Sequence, residues 1–152
     1  MDKIDRKILA ELQHNGRASL QEISQAVGLS STPCWTRIKK LEESGVIERY
    51  TVNLNAEALG LGETVMVQVT LDSHSDNTLE KFGEVLASIP EVVEAYLVSG
   101  EYDYLLRIAV KDTKDYERLL REKLYKIKGV RHSKSSFVLR TLKKSDLPLS
   151  GV

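Results

Sequence analysis

The sequence predicts an α+β protein built from three helices followed by a β-α-β-β-α-β unit. Apolar residues recur at three- to four-residue spacing through the first 45 positions, whereas sustained alternation with a period of two begins after residue 63. A short segment with two glycines, residues 54–62, separates the two patterns. We therefore expect a first domain at residues 1–53, a linker at 54–62 and a second domain at 63–152.

The first two helices have clear boundaries in the sequence. Ile4–His14 carries apolar residues on one face and is followed by an Asn-Gly pair, which is typical of a helix end. Ser19 is expected to cap the second helix, because its hydroxyl can accept from the N–H of Glu22 while the Glu22 carboxylate reaches back. Gly28 can adopt the left-handed conformation that ends this helix. A turn of three or four residues then leads into the third helix.

The third helix is expected to begin at about Ser31, with Pro33 in its first turn. Ser30 or Thr32 supplies the cap. The buried side of this helix is a stripe at helical spacing, formed by Cys34, Ile38 and Leu41. Its outward side is basic, since the charged residues between Ser30 and Leu41 are Arg37, Lys39 and Lys40, with no acid among them.

Two closely spaced helices, the second with small residues at its start and cations along its face, are typical of a DNA-binding helix-turn-helix. The candidate DNA-contacting residues are Ser30, Ser31, Thr32, Trp35, Thr36, Arg37, Lys39 and Lys40. The alternative is a solvated helix face with three cations, which the turn chemistry and the preceding helix disfavour. Val46–Leu54 alternates β-branched and aromatic residues and predicts a short strand, as in a winged helix-turn-helix.

The second domain repeats a strand-helix-strand pattern. Val65–Leu71 is a predicted strand, and a helix follows behind the cap candidates Asp76 and Asn77, ending before Pro90. The other predicted elements are a strand at Val92–Val98, a strand at Tyr104–Val110, a helix capped by Asp112 or Thr113 whose apolar side reaches Ile127, and an extended segment at Val130–Leu142. Such a sheet has helices on one face only, so the other face needs a cover. Apolar residues on both faces of Tyr104–Val110 favour a dimer through the sheets.

Composition narrows the class of protein further. The chain has 152 residues, of which 41% are hydrophobic and 29% charged, as in ordinary globular proteins. It contains neither a run of about 18 apolar residues nor the apolar core of a signal peptide, so we expect a cytoplasmic protein with no membrane partner. The single cysteine, Cys34, excludes an internal disulfide. No metal site is expected, because His14, His74 and His132 lie at no ligand spacing, and surface or capping roles suit them better.

Charge and motifs point to a non-enzyme that oligomerises. Lys and Arg number 22, as do Asp and Glu, and residues 1–53 hold eight cations against seven acids. Neither half is strongly basic, so DNA affinity is expected to come from several DNA-binding units acting together. The sequence shows no nucleophile elbow, phosphate loop or acid-base pair, and no cofactor is expected. Its tyrosines lack the flanking basic pattern of an RNA-reading sheet.

Four segments of the chain, in order and spacing, resemble the Lrp/AsnC family of transcription regulators. These segments are DKIDRKILAELQHNGR at Asp2 to Arg17, GLSSTPCWTRIKKLEESGVI at Gly28 to Ile47, LVSGEYDYLLR at Leu97 to Arg107 and GVRHSKSSFVL at Gly129 to Leu139. The resemblance covers the chain from end to end. It implies a winged helix-turn-helix joined to a ferredoxin-like effector-binding domain that also oligomerises. The residues of these motifs are most similar to those of family members that sense branched-chain or sulfur amino acids.

The resemblance also implies an amino-acid pocket at a contact between dimers. Its residues here would be Gly100, Glu101, Tyr102 and Asp103 in the turn before the third strand, with Ser133 and Ser135 of the last strand. Asp103 can pair with an α-ammonium group, and Gly100 lets backbone N–H groups approach an α-carboxylate. From the residues alone, a polar hairpin turn is the favoured interpretation of this segment, and the resemblance reverses that preference.

The expected function is sequence-specific regulation of transcription by a homo-oligomer whose assembly and DNA affinity respond to an amino acid bound between dimers. Dimers would associate into tetramers or octamers on double-stranded DNA. The alternatives are an architectural DNA-binding protein without an effector, and a ferredoxin-like enzyme fused to a DNA-binding domain. The enzyme would need an acid-base pair in a cavity, and the sequence offers none.

Overall fold

A computed structural model describes residues 1–73 and 76–149, without the side chains of residues 76 and 77. His74 and residues 150–152 lie outside the described residues. The chain divides into two units. One holds Met1–Leu54 with the described part of the tail, residues 143–149, and the other is Asn55–Leu142.

The first unit is a three-helix domain. The helices are α1 (Lys3–His14), α2 (Leu20–Val27) and α3 (Ser31–Glu43), as the hydrophobic spacing predicts. Their apolar stripes meet in one core, whose buried residues are Ile8, Leu9, Ile23, Val27, Cys34 and Leu41. The predicted caps are present on α2, where Ser19 and Glu22 form the reciprocal capping box. Cys34 is buried as a small apolar residue, and burial raises the pKa of its thiol.

The predicted wing strand at Val46–Leu54 is wrong for the single chain. This segment is irregular, because it has no neighbouring strand with which to form a ladder. Alternate side chains along it, Tyr50, Val52 and Leu54, are more than half exposed. Tyr50 is held by a hydrogen bond from its hydroxyl to Glu42 Oε1 at 2.8 Å. Alternation of β-branched and aromatic residues is therefore not sufficient to predict a paired strand.

The described tail packs on the helical unit, although the sequence placed residues 63–152 in one domain. Leu149 contacts the helical core. Gln13 Nε2 donates to the carbonyl of Leu147 at 3.2 Å, and Lys144 Nζ donates to Asn53 Oδ1 at 2.8 Å. The tail has no hydrophobic periodicity, so no pattern in the sequence separates it from the sheet domain.

The second unit is the predicted β-α-β-β-α-β sandwich. Its strands are β1 (Glu63–Leu71), β2 (Val92–Leu97), β3 (Tyr104–Val110) and β4 (Val130–Phe137), and its helices are α4 (Asp76–Ala87) and α5 (Thr113–Glu122). The sheet is antiparallel with the order β2-β3-β1-β4. Alternate residues of β1 and β3 are buried against the helices, beginning with Val65 and Tyr104.

Three predicted boundaries differ from the structure. Helix α4 starts at Asp76, and the side chains of the cap candidates Asp76 and Asn77 lie outside the described part of the chain. Helix α5, capped by Asp112 through the N–H of Asp115, stops at Glu122, and Leu124–Lys126 continues as a 3-10 turn. Strand β4 ends at Phe137, which pairs with Val65 of β1, and one further backbone hydrogen bond, from the N–H of Val138 to the carbonyl of Thr64 at 2.9 Å, follows it. A second 3-10 turn, Glu57–Leu59, precedes β1.

The face of the sheet away from the helices is uncovered in this chain. It carries a mixture of apolar and polar residues, among them Met66, Gln68, Tyr96, Leu105, Arg107 and Ala109. Arg107 Nη2 lies 2.6 Å from Glu94 Oε1, and the Tyr96 hydroxyl donates to Glu94 Oε2 at 3.0 Å. No described helix is both long and apolar enough to cross a membrane. Among the side chains that the structure describes, no three of His, Cys, Asp or Glu converge as metal ligands would.

Candidate DNA-binding and effector sites

The turn between α2 and α3 has the geometry of a helix-turn-helix. Gly28 adopts φ +74°, and its N–H donates to the carbonyl of Gln25 at 3.2 Å. The N–H of Leu29 donates to the carbonyl of Ser24 at 2.9 Å. These two bonds close α2 as a left-handed glycine cap does, so α3 can start three residues after the glycine. The turn chemistry predicted from the sequence is confirmed.

The start of α3 exposes its hydroxyl groups. Ser30 occupies the cap position by its backbone, but its side chain makes no capping hydrogen bond, and Thr32 lies within the first turn. The predicted side-chain cap is therefore wrong. Pro33 at the third helical position removes an N–H that has no helical acceptor. Ser30, Ser31 and Thr32 are exposed at this end.

Farther along α3, the exposed side chains form a mixed aromatic and basic face. Trp35 is 52% exposed, although a tryptophan usually avoids water. The ammonium of Lys39 lies 5.6 Å from the centre of the Trp35 ring, within the range of a cation-π contact. Thr36 donates to the carbonyl of Thr32 at 3.0 Å, and Lys40 is exposed. These side chains are available to bases and phosphates without any rearrangement of the core.

Arg37 differs from the other cations of α3. Its Nη1 lies 2.6 Å from Asp2 Oδ2 and 2.7 Å from Asp5 Oδ1, and its side chain is 33% exposed. The sequence placed Arg37 on the outward basic face, yet in the structure it faces the start of α1. Asp2 and Asp5 were not among the site residues predicted from the sequence, in which their one signal is a pair of acids three residues apart at the start of a helix.

The candidate effector turn joins β2 to β3. Gly100 adopts φ +131°, which favours glycine, and Gly100 and Glu101 are exposed. Asp103 is anchored: its N–H donates to the carbonyl of Val69 at 2.9 Å, and its Oδ2 accepts from the N–H of Leu71 at 2.7 Å. Tyr102 is half-buried beside it. The turn is thus fixed to the end of β1.

Ser133 and Ser135 lie on the helical side of the sheet, because their partners in the register, Val69 and Val67, are buried there. The hydroxyls of Ser135 and Tyr116 are 2.5 Å apart, and burial raises the pKa of Tyr116. Strand β1 separates β4 from β3, so both serines lie about 10 Å across the sheet from β3. The single chain therefore does not gather the six predicted effector residues into one pocket.

Comparison with known proteins gives the class of this protein. The model of the Lrp/AsnC ligand binding domain matches residues 64–148, and the model of a winged helix-turn-helix DNA-binding domain matches residues 1–48. The leucine-responsive regulatory protein of Escherichia coli K12 is 40% identical over 146 residues, which cover 96% of this chain and 89% of that protein.

Solved structures agree with this assignment. An AsnC family transcriptional regulator from Agrobacterium tumefaciens has a TM-score of 0.93 at 41% identity, covering 99% of this chain and 98% of the other. A transcriptional regulator from Neisseria meningitidis, in complex with L-Met, has a TM-score of 0.92 at 35% identity, covering 98% and 97%. The chain belongs to the Lrp/AsnC family of transcription regulators.

Proposed function

We propose that this regulator binds double-stranded DNA through the exposed face of α3 and binds an amino acid through its sheet domain. The observation that carries the proposal is the start of α3, where three exposed hydroxyl residues precede an exposed Trp35-Lys39 pair. The proposed contact residues are Ser30, Ser31, Thr32, Trp35, Thr36, Lys39 and Lys40. Hydroxyls and cations supply phosphate contacts, whereas Trp35 and the small residues can reach base edges.

DNA binding is tested by measuring affinity against salt concentration. Each lysine that neutralises a phosphate contributes about 0.9 to the slope of log affinity against log salt. Lys39→Ala should therefore reduce the slope by about 1. Lys114→Ala, on the exposed side of α5, is the matched control and should leave the slope unchanged. Equal slopes for the unmodified protein, Lys39→Ala and the control would exclude this face of α3 as the DNA-binding surface.

The effector proposal rests on the Gly100–Asp103 turn, on family membership and on the L-Met bound to the Neisseria meningitidis relative. We propose an amino-acid effector of the branched-chain or sulfur class, held between dimers, with the second dimer completing the site. Asp103 is the proposed partner of the α-ammonium, and exposed backbone at Gly100 is the proposed partner of the α-carboxylate.

Thermal unfolding with each of the twenty amino acids tests this proposal. A ligand at 100 times its dissociation constant stabilises by about 2.7 kcal/mol, which raises the midpoint by a few degrees. Asp103→Asn is the informative variant, because the amide oxygen can still accept from Leu71 while the charge is lost. The selective shift should disappear in this variant. Absence of a shift with every amino acid would favour the architectural alternative, an oligomer that coats DNA without sensing a metabolite.

Assembly completes the proposal. Dimers would form through the uncovered sheet faces and associate into tetramers or octamers, so that paired α3 helices enter successive major grooves. Ligand coupling of about 1–3 kcal/mol would change DNA affinity by roughly 5- to 150-fold. Family membership points to regulation and not to catalysis, and we propose a cytoplasmic protein that acts on chromosomal DNA.

A further inference from the structure

We infer that Arg37 is a positioning residue that fixes the recognition helix α3 to the start of α1, and not a phosphate ligand. The inference rests on the proposed DNA-binding function and assigns a different role to one cation of α3. It gives Asp2 and Asp5, which lie outside the proposed DNA interface, a part in recognition.

The two carboxylates divide their oxygens between a helix cap and the guanidinium. Asp2 Oδ1 accepts from the N–H groups of Ile4 and Asp5 at 2.8 and 2.9 Å, and Asp5 Oδ2 accepts from the N–H of Asp2 at 2.9 Å. The remaining oxygens, Asp2 Oδ2 and Asp5 Oδ1, both accept from Arg37 Nη1. The capping box therefore presents two acceptors to one nitrogen of Arg37. Because the cap hydrogen bonds hold both carboxylates in place, they also fix the geometry of the ion pair.

Arg37 differs from Lys39 and Lys40 in its charged neighbours. Asp2 and Asp5 carry two negative charges against the single positive charge of Arg37, so the guanidinium is already neutralised by its partners before a phosphate approaches. Lys39 and Lys40 have no carboxylate within ion-pair distance among the described residues. Arg37 is the seventh of the 13 residues of α3, so a tie at this point restrains the middle of the helix that must fit the groove.

The variants Asp2→Asn and Asp5→Asn, made together, test the inference. Asparagine at the cap position is as favourable as aspartate, and the amide oxygen introduced at residue 5 can still accept from the N–H of residue 2, so both acceptors remain while the two charges are lost. If Arg37 were a phosphate ligand held back by the acids, this variant would bind DNA more tightly. If Arg37 positions α3, the variant should bind its specific site roughly tenfold more weakly, the scale of one misplaced base contact.

The variant Arg37→Ala is the second test of the inference. Affinity for a duplex selected from a random pool by the unmodified protein should fall roughly tenfold, with the salt slope unchanged and non-specific affinity nearly unchanged. A purely structural role would leave the ratio of specific to non-specific affinity unaltered in the folded variant, as monitored by circular dichroism. The triple variant should lose no more affinity than Arg37→Ala alone, since all three residues form one unit.

Three results would overturn the inference. The first is a lower slope of log affinity against log salt in both Arg37→Ala and Lys39→Ala. This result would make Arg37 a phosphate ligand and would leave the proposed DNA interface intact. The second is tighter binding by the Asp2→Asn, Asp5→Asn variant. The third is an unchanged ratio of specific to non-specific affinity in Arg37→Ala. If Lys39→Ala and Lys40→Ala also leave affinity and slope unchanged, the proposed function fails together with the inference.

Discussion

At the scale of single residues, Asp2 shows how one side chain couples a helix cap to an ion pair. The N–H of Asp5, followed by the Arg37 guanidinium, lowers the pKa of Asp2 to about 2. In the unfolded chain the same carboxyl titrates at about 3.9. The folded state therefore holds its proton less tightly, and the stabilisation is complete above about pH 4 and disappears as the pH falls toward 2.

We expect Asp2→Asn to remove part of this pH dependence. The unmodified protein should lose stability between about pH 4 and pH 2, and Asp2→Asn should lose less over the same window because its amide does not titrate. Urea unfolding at a series of pH values measures the difference. Glu117→Gln, on the exposed side of α5, is the matched control and should follow the unmodified protein. Identical pH profiles for Asp2→Asn and unmodified protein would show that the cap and ion pair contribute nothing.

The sequence located most individual residues of the core but few of the polar contacts. Cys34, Ile38 and Leu41 were identified by spacing alone, since the period of a helix fixes which side chains share a face. The Arg37-Asp2 and Ser135-Tyr116 pairs join residues 35 and 19 positions apart, and no local pattern reports such distances. Polar partners follow from tertiary packing, so only the structure reveals them.

At the scale of elements, glycines at two positions have opposite roles. Gly28 ends α2 at φ +74°, where a side chain is strained although the surrounding space is open. Gly28→Ala should therefore destabilise the helical unit by about 1–2 kcal/mol. Gly83 lies inside α4, also in open space, and Gly83→Ala should stabilise the sheet unit by about 0.5–1 kcal/mol. Calorimetry of both variants measures whether the two changes in stability have opposite signs. Destabilisation by both substitutions would contradict the explanation from backbone conformation.

The tail is an element that the sequence did not predict as part of the helical unit. Leu149 is half-buried against that core, whereas Leu147 is 81% exposed. Leu149→Ala should therefore cost about 1 kcal/mol of stability, and Leu147→Ala should cost almost nothing. Hydrogen exchange of the α1 amides measures the stability of this unit directly. Equal protection in the two variants would mean that the tail does not support the helices.

At the scale of the whole molecule, the order of elements was predictable because each helix and strand has its own period. The antiparallel order β2-β3-β1-β4 follows from the β-α-β-β-α-β pattern and from right-handed connections. The prediction of a strand at Val46–Leu54 is wrong for a different reason. Pairing of a strand requires a partner, and an isolated sequence pattern contains no information on which chain provides it.

Dimerisation through the uncovered sheet face is the remaining prediction at this scale. Leu105 lies on that face opposite Gln68 and Tyr96, with no cation directly paired to it. In a sheet-to-sheet dimer, Leu105→Asp would bury an unpaired carboxylate, which costs several kcal/mol and should separate the subunits. In the monomer the same carboxylate would be hydrated, so the fold should persist.

Sedimentation equilibrium, with circular dichroism as the check on folding, distinguishes the outcomes. Leu105→Asp should sediment as a smaller species than the unmodified protein and should bind DNA more weakly, because paired α3 helices no longer act at one effective concentration. Lys114→Glu, exposed on α5, changes charge on the opposite side of the sheet and should preserve the assembly. If Leu105→Asp retains the native size, another surface joins the subunits, and the mixed polar character of the sheet face, with Arg107 paired to Glu94, would then reflect contact with water.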